Sequence, residues 1–391
     1  MEYRKLEKLG IETSLLGFGC MRFPTTSSGK ISRARAEKMI DTAMQAGVNY
    51  YDTAYPYHDG ESESFMGSVL QKYDRKTYYL ATKLPCWSVE NIEDAKRIFS
   101  EQLEKLRVHY VDFYLLHSLD RDSFHKMCDL GVVSWLEEQK KEGKIKYFGF
   151  SFHDNYEAFE EIMKYRDWDF CQIQLNYMDT EEQAGIRGYK LAEELGVPMI
   201  VMEPVRGGSL AYMEDSIGKH FKDISKNATY ASWALRWVGS LPNVKVILSG
   251  MSTMEQVHDN LYTFSPFSPL TPTEQIAVLK VSIERKKRIK NGCTGCGYCM
   301  PCPKGVNIPV NFRLWNDYGI YENIGALKWA WNNDLEEAAQ AKSCVECGLC
   351  EKACPQKLNI REDLKQLQSE IEAAVAEIEA VAEIEQTADE S

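Results

Sequence analysis

No stretch of the 391 residues approaches the roughly 20 consecutive apolar positions that span a bilayer. The opening segment, Met1 to Gly10, lacks the apolar centre of a secretory leader. The expectation is a cytoplasmic chain without a membrane partner. Also missing are the phosphate loop G-x-x-x-x-G-K-[ST], the zinc-protease H-E-x-x-H and the nucleophile elbow G-x-S-x-G. Positive charge is in deficit: 46 Lys and Arg face 58 Asp and Glu, a net charge of −12. Arg361–Ser391 alone holds ten acids and two bases, which is −8 and leaves −4 for the rest. Such a chain is a poor match for a polyanion, and no nucleic-acid partner is expected.

What is present is a repeated theme. Short β-branched or aromatic runs alternate with longer helical stretches. The runs are Leu15–Phe18, Tyr50–Asp52, Tyr78–Lys83, Val111–Leu116, Lys146–Ser151, Phe170–Leu175, Pro198–Met202 and Val246–Ser249. Most of the spacings fit one strand, one helix and their loops, which implies a parallel sheet. Arg33–Ala46 and Asn91–Leu106 carry apolar residues at helical period. Eight such units in about 250 residues is the count and size of a (β/α)8 TIM barrel. The last gap is too long for one helix, so an insertion is expected over residues 207–227, before a helix Ala228–Val238. The rival is an open doubly wound sheet, whose G-x-G-x-x-G turn is incomplete in Gly17-Phe-Gly-Cys-Met-Arg22. The expected layout is a barrel over 1–264, a linker and helix over 265–282, and a small, mainly α-helical domain over 283–362. An acidic tail, frayed helix or disorder, takes 363–391.

In such a barrel the chemistry collects where the strands end. Those ends supply Asp52, Lys83, His117, Ser151, Gln172, Asn176, Glu203 and Ser249, with Tyr57 five residues past Asp52. An acid, an ammonium, an imidazole and a phenol at one mouth read as a carbonyl-reduction site. Hydride addition builds charge on oxygen, and a proton must be supplied. A tyrosine with pKa about 10 is a reluctant donor, and a neighbouring ammonium lowers that value. Lys83 is the candidate ammonium, Asp52 its counter-ion, His117 the hydrogen-bond donor to the carbonyl oxygen and Tyr57 the general acid.

Tyr51-Asp52-Thr53-Ala54-x-x-Tyr57, then Glu61-Ser62-Glu63, Ala81-Thr82-Lys83, Leu115-Leu116-His117 and Lys146-Tyr-Phe-Gly-Phe-Ser151, resemble the aldo/keto reductase family. The likeness runs over residues 3–260. It implies the barrel, a catalytic tetrad on Asp52, Tyr57, Lys83 and His117, and a nicotinamide cofactor, NADP or NAD. Ser151 and Gln172 would meet its carboxamide, and Glu255 to Asn260 its adenine. The chain departs from the family in Met202-Glu203-Pro204, where an aromatic usually stacks on the nicotinamide ring. It departs again at Gly250 and Gln256, where cations usually grip a 2′-phosphate. Anion sites are still offered by Ser252-Thr-Met-Glu255, which resembles a capping box, and by the loop Arg206-Gly207-Gly208-Ser209. The expected cofactor contacts are therefore Ser151, Gln172, Glu203, Arg206, Gly207, Ser249, Gly250, Glu255 and Asn260. The missing aromatic keeps flavin as an alternative.

Cysteine is abundant and clustered: eight of the twelve follow residue 290. One run is Cys293-x2-Cys296-x2-Cys299-x2-Cys302-Pro303. The other is Cys344-x2-Cys347-x2-Cys350-x3-Cys354-Pro355, the [4Fe–4S] spacing without deviation. The fourth cysteine of each run in a two-cluster protein serves the opposite cluster. That assigns Cys293, Cys296, Cys299 and Cys354 to one cube, and Cys344, Cys347, Cys350 and Cys302 to the other. Zinc is the rival, but a third thiol at x2-x2 spacing is awkward for it. Between the runs, Phe312–Ala341 reads as helix. Aldo/keto reductases with a C-terminal ferredoxin-like segment form a subgroup that this chain resembles along its whole length.

The expected function is an oxidoreductase acting on a small-molecule carbonyl or alcohol, with two [4Fe–4S] clusters for electron transfer. The alternatives are an electron-transfer or regulatory subunit with a non-catalytic barrel, and a ferredoxin- or flavin-dependent reductase without nicotinamide. The basic run Arg285, Lys286, Lys287, Arg288 and Lys290 would sit on a helix Ile283–Lys290. It could dock a ferredoxin or flavodoxin. No oligomeric state is assigned.

Overall fold

The computed structural model describes the backbone of residues 1–389, with side chains through residue 374 and of Ala376. It divides into two units, Met1–Tyr212 with Phe221–Val278, and Met213–His220 with Leu279–Ser391. Among the described residues no helix is long and apolar enough to cross a membrane.

The first unit opens with an antiparallel hairpin, β1 (Tyr3–Leu6) and β2 (Ile11–Ser14). Eight parallel strands follow: β3 (Leu16–Gly19), β4 (Tyr50–Asp52), β5 (Tyr79–Pro85), β6 (Val111–Leu119), β7 (Ile145–Phe152), β8 (Phe170–Gln174), β9 (Met199–Met202) and β10 (Val244–Gly250). They pair in sequence, and β10 returns to β3 to close the barrel. All eight expected runs are strands, with ends shifted by a few residues. The hairpin was not anticipated. Its Leu6 joins the cluster inside the barrel, with Leu9 and Ile11 packed against it.

That interior cluster explains how the site is aimed. Side chains alternate across a strand. The inward residues are Tyr50 on β4, Ala81 on β5, Phe113 and Leu115 on β6, Phe170 on β8, Ile200 on β9, and Val246 and Leu248 on β10. Two residues further along the same strands stand Asp52, Lys83, His117, Gln172, Met202 and Gly250. The intervening residues, such as Tyr51, Tyr114, Leu116 and Ile247, pack outward against the helices in a second cluster.

The helices follow local signals. Ile92–Leu106 is capped by Asn91, whose side chain accepts from the N–H groups of Glu93 and Asp94. It buries Ala95, Ile98, Phe99, Gln102 and Leu106 on one face. The expected insertion contains a turn at Arg206–Gly208 and a helix at Asp215–Lys222, followed by the helix Tyr230–Gly239.

The second unit has its own apolar core, built from Val306, Ile308, Phe312, Trp315, Leu327, Trp331, Ile360, Leu364, Leu367 and Ile371 among others. The helical stretch expected over 312–341 is formed by two helices, Ile308–Tyr321 and Ile324–Asn333, followed by short turns. Glu322 takes a left-handed φ of 51° that stops the first, and Asn323 caps the second through the Ala326 N–H. The basic helix expected over 283–290 also differs, because the helix Pro272–Lys286 ends earlier. Arg285 is buried against the Tyr321 ring, Arg288 pairs with Glu214 and Glu322, and Lys290 pairs with Glu370. Three of the five cations are thus engaged within this unit. The last helix, Ile360–Asp389, starts before the expected tail and buries Leu364, Leu367 and Ile371. Side chains of the Val-Ala-Glu-Ile-Glu repeats, Ala376 apart, lie outside the described residues.

Candidate functional site

Asp52 and Lys83 leave adjacent strands paired in register, Asp52 opposite Ala81. Lys83 Nζ lies 2.5 Å from Asp52 Oδ1, donates to the Thr53 carbonyl at 2.8 Å and reaches the Tyr57 hydroxyl at 3.4 Å. The ammonium is fully buried. Burial opposes its charge, but Asp52 and then Tyr57 outweigh that, so its pKa is raised above 10.5. Tyr57 is carried by a turn in which its N–H bonds the Ala54 carbonyl at 3.2 Å. The next three residues, His58, Asp59 and Gly60, are all left-handed, with φ of 53°, 54° and 81°. They fold the chain back into the helix Glu61–Val69.

His117 pairs with Pro85 in the regular β5–β6 register, at the start of an irregularity on the other side of its strand. The β6–β7 register slips between Leu116 and Leu119, and Ser118 has φ 57°. Its N–H is taken by Ser151 Oγ at 2.8 Å. Bulges of this kind re-aim side chains near active sites. The His117 ring stands edge-on to Tyr57, centroids 5.9 Å apart, and 5.1 Å from Trp87. Among the described residues its Nδ1 is buried without a hydrogen-bond partner. Burial, then the Lys83 charge, pushes its pKa well below 6.5, so the imidazole is neutral.

One expectation is reversed. Lys83 does pull the Tyr57 pKa down, but burial of the phenol is the larger influence and Asp52 adds to it. The net pKa lies above 10.

A buried polar brace lies behind this group. Glu63 accepts from Thr82 Oγ1 at 2.6 Å and from Gln102 Nε2 at 2.8 Å. Gln102 also donates to the Lys83 carbonyl at 2.9 Å and accepts from Tyr114 at 2.7 Å. Thr82 and Gln102 thus hold the strand that presents Lys83.

The remaining candidates fall into two classes. Gln172 and Ser151 sit opposite one another in the β7–β8 register. Gln172 Nε2 contacts Met202 Sδ at 3.4 Å, while its Oε1 is buried with no partner among the described residues. Others are spent on bracing. Asn260 turns inward and donates to Ser249 Oγ at 2.8 Å. Asn176 uses its oxygen on the Met178 and Asp179 N–H groups and its nitrogen on Asp179. Arg206 Nε bonds Asp179 Oδ2 at 2.9 Å. Glu203, Arg206 and Gly207 all have positive φ, of 56°, 49° and 62°. The capping box is one residue later than expected: Thr253 caps Met254–Thr263 with Gln256 at the third position, and Glu255 lies in the first turn.

Two residues were missed. Trp87 is 54% exposed beside His117. A tryptophan four positions past the end-of-strand lysine is the signal that pointed to it. Arg22 accepts Ser252 Oγ on its carbonyl at 2.7 Å, and its Cγ lies 2.8 Å from where a Cβ on Gly250 would stand. A side chain on Gly250 would therefore meet Arg22. His153 lies close enough to His117 to depress its pKa further.

The cysteine runs fold into two cavities. Cys293, Cys296, Cys299 and Cys354 line one, with Ile308, Phe312 and Leu358. Cys302, Cys344, Cys347 and Cys350 line the other, with Arg361 and Leu364, and Cys299 lines both. All twelve cysteines are free thiols. Among the described residues no three of His, Cys, Asp and Glu gather tightly enough to share one metal ion. Soft thiols ringing a hollow in fours suit a cuboidal guest with one thiolate per iron better than one zinc ion.

The aldo/keto reductase family model matches residues 15–280. This chain belongs to the aldo/keto reductase family. A 4Fe-4S dicluster domain matches residues 292–359, so the chain is a reductase-family oxidoreductase joined to an iron–sulfur domain. The uncharacterized oxidoreductase YqkF of Bacillus subtilis is 24% identical, covering 67% of this chain and 90% of its own. The holo form of aldo-keto reductase AKR11C1 from Bacillus halodurans is 26% identical, with a TM-score of 0.61 over 72% of this chain and 96% of its own. An aldo-keto reductase from Klebsiella pneumoniae, solved in complex with NADPH, shares the fold at 19% identity and a TM-score of 0.58, over 72% of this chain and 96% of its own.

Proposed function

We propose that the chain reduces a small carbonyl compound, or oxidises the matching alcohol, with a nicotinamide cofactor in the barrel mouth. Its C-terminal domain carries two [4Fe–4S] clusters that pass single electrons. The observation that carries the first part is the Lys83 ammonium set between Asp52 and Tyr57 beside a neutral His117. The orphaned Gln172 Oε1 fits a carboxamide N–H, and the NADPH held by the Klebsiella neighbour supports the same cofactor class.

When bound, the reduced nicotinamide supplies hydride to the carbonyl carbon, and the clusters supply electrons one at a time. The protein's part is proton supply and charge control. As the carbonyl π pair moves onto oxygen, Tyr57 gives that oxygen its phenolic proton. The tyrosinate left behind is compensated by Lys83, 3.4 Å away, and Asp52 keeps Lys83 charged. His117 donates a hydrogen bond to the same oxygen, and being neutral it does not compete as an acid. Trp87 forms an apolar wall for the substrate. Ser151 and Gln172 would hold the carboxamide, and the 206–209 loop with the 249–256 turn would hold the phosphates and adenosine. The four thiols of each cavity would hold one cluster each.

The test is anaerobic purification followed by iron, sulfide and nucleotide analysis, then NADPH- and NADH-dependent reduction of simple aldehydes. About eight irons per chain and carbonyl turnover are expected for two cubes and an active barrel. Turnover that Tyr57→Phe leaves unchanged rejects the catalytic reading.

A further inference from the structure

The two cysteine loops are built alike. In the first, the Gly295 N–H donates to Cys293 Sγ at 3.4 Å, and in the second the Glu346 N–H donates to Cys344 Sγ at the same distance. Gly295 and Glu346 are both left-handed, with φ of 69° and 57°. Gly297 and Gly348, which follow the second cysteine of each run, share a φ of 73°. Cys296 and Cys347 are both exposed, and the thiols before and after them are half-buried. The hydrogen bond to the first sulfur and the exposure of the first three thiols, two of the influences that set a cluster's potential, are therefore matched in kind, while the fourth thiols differ, Cys354 being buried and Cys302 half-buried.

Charge is not matched. Arg361 lines the second cavity, and its Cζ lies 3.6 Å from where a Cβ on Gly348 would stand. Among the described residues, no charged side chain lines the first cavity, where Thr294 and Gln356 are the polar members other than the thiols. One-electron reduction adds a negative charge to a cluster. A guanidinium beside it, which stays protonated at any working pH, stabilises the reduced form more than the oxidised one.

We infer that Arg361 separates the two clusters in potential. The cluster held by Cys302, Cys344, Cys347 and Cys350 is the easier to reduce, and a single electron delivered to this domain rests there. This rests on the reading that each cavity holds one [4Fe–4S] cube. Glu351 moderates the effect. Its Oε2 lies 2.8 Å from Arg361 Nη2 and accepts from Nε at 3.0 Å, and its Oε1 accepts the Arg361 backbone N–H at 2.9 Å. The Arg361 side chain is also 45% exposed, so solvent screens it and limits the shift.

The experiment is a redox titration of the anaerobically purified full-length holoprotein, followed by electron paramagnetic resonance, with dithionite as reductant. Iron and sulfide are measured on every sample. The wild type shows two one-electron steps. Arg361→Gln lowers the upper step by about tenfold in its reduction constant, about 59 mV for one electron, and leaves the lower step in place. Glu351→Gln raises that same upper step. An Arg361→Gln protein with full iron whose steps both stay put, or both move equally, overturns the assignment. Should Arg361→Gln shed iron, Glu351→Gln decides alone, and an unmoved upper step overturns it. A wild-type chain with only about four irons removes the two-cluster reading first, before any titration.

Discussion

The hydroxyl of Tyr57 lies 3.4 Å from the ammonium of Lys83, yet its pKa stands above that of a free phenol. Proximity to a cation is not enough here, because burial withdraws the water that would stabilise a tyrosinate. The consequence is a donor that holds its proton until a carbonyl oxygen develops charge. A general acid works in its protonated form, so activity is lost as pH rises through its pKa. Reduction measured as kcat/KM should therefore stay level through neutral and mildly alkaline pH and fall only above about pH 10. Tyr57→Phe should lower kcat by about 10²- to 10⁴-fold with little change in thermal unfolding. A profile that breaks near pH 7 would assign the proton to another group.

The Asp52–Lys83 pair tests a different quantity. Both side chains are buried, and Asp52 Oδ2 has no hydrogen-bond partner among the described residues. Lys83→Met leaves a buried carboxylate unpaired, which costs about 3–5 kcal/mol. Replacing both partners, as Asp52→Asn with Lys83→Met, removes the stranded charge and should recover much of that loss while turnover stays low. Urea unfolding of the three proteins measures it. A double variant less stable than Lys83→Met would show that the pair's value lies in packing rather than charge.

Much of this was legible in the sequence because the signals are periodic. The eight strands and their spacing follow from hydrophobic runs, and residues two positions past an inward-facing side chain must also face inward. That is why Asp52, Lys83, His117 and Gln172 were found from strand ends alone. Less legible were features set by contacts between distant segments. The His117 bulge depends on Ser151 taking the Ser118 N–H. The net rise in the Tyr57 pKa depends on burial, which spacing does not report. The broken helix near Glu322 turns on one left-handed residue whose identity does not demand it. The basic run 285–290 was expected on one helix as a docking candidate, but Glu214, more than 70 positions earlier, claims Arg288.

Gln172 should respond in opposite directions to two measurements. Its Oε1 is buried and unpartnered, an arrangement that destabilises the unliganded protein. Gln172→Met should leave thermal stability unchanged or raise it. The same change removes the acceptor proposed for the carboxamide and should weaken nicotinamide binding about tenfold, about 1.4 kcal/mol. Titration calorimetry with NADPH reads the second effect. Equal binding by both proteins would place the carboxamide elsewhere.

The imidazole of His117 makes a prediction about acid stability. Its pKa in the folded chain lies well below 6.5, and burial is the main cause. As pH falls below 6.5 the unfolded chain takes up a proton that the native chain refuses. Stability is then lost at about 1.4 kcal/mol per pH unit until the folded pKa is reached. His117→Gln deletes this one contribution, so its unfolding free energy should fall less steeply between about pH 6.5 and pH 5 than the wild type's. In the nuclear magnetic resonance spectrum, the His117 ring signals should not titrate over that range. Identical slopes for the two proteins would mean that His117 is protonated in the fold.

Iron removal separates local from global structure in the C-terminal domain. Phe312, Trp315, Leu364 and Leu367 share one apolar core, of which Cys354 is a member and against which Cys293, Cys299, Cys302, Cys344 and Cys350 pack. The loops Cys293–Cys302 and Cys344–Cys350 hold little regular structure of their own, with φ of 57–73° at Gly295, Gly297, Glu346 and Gly348. Chelation under anaerobic conditions should therefore raise amide exchange in those loops to near the unprotected rate. The helices Ile308–Tyr321 and the first turns of Ile360–Asp389 should keep most of their protection. The barrel, which has separate cores, should show no change. Loss of protection across both helices would instead make the domain one whose folding free energy is mostly metal-binding free energy, as in small zinc domains. In that case truncating Phe312 to Ala would add little further loss to the apo protein, whereas an independent core predicts a loss of about 3–5 kcal/mol.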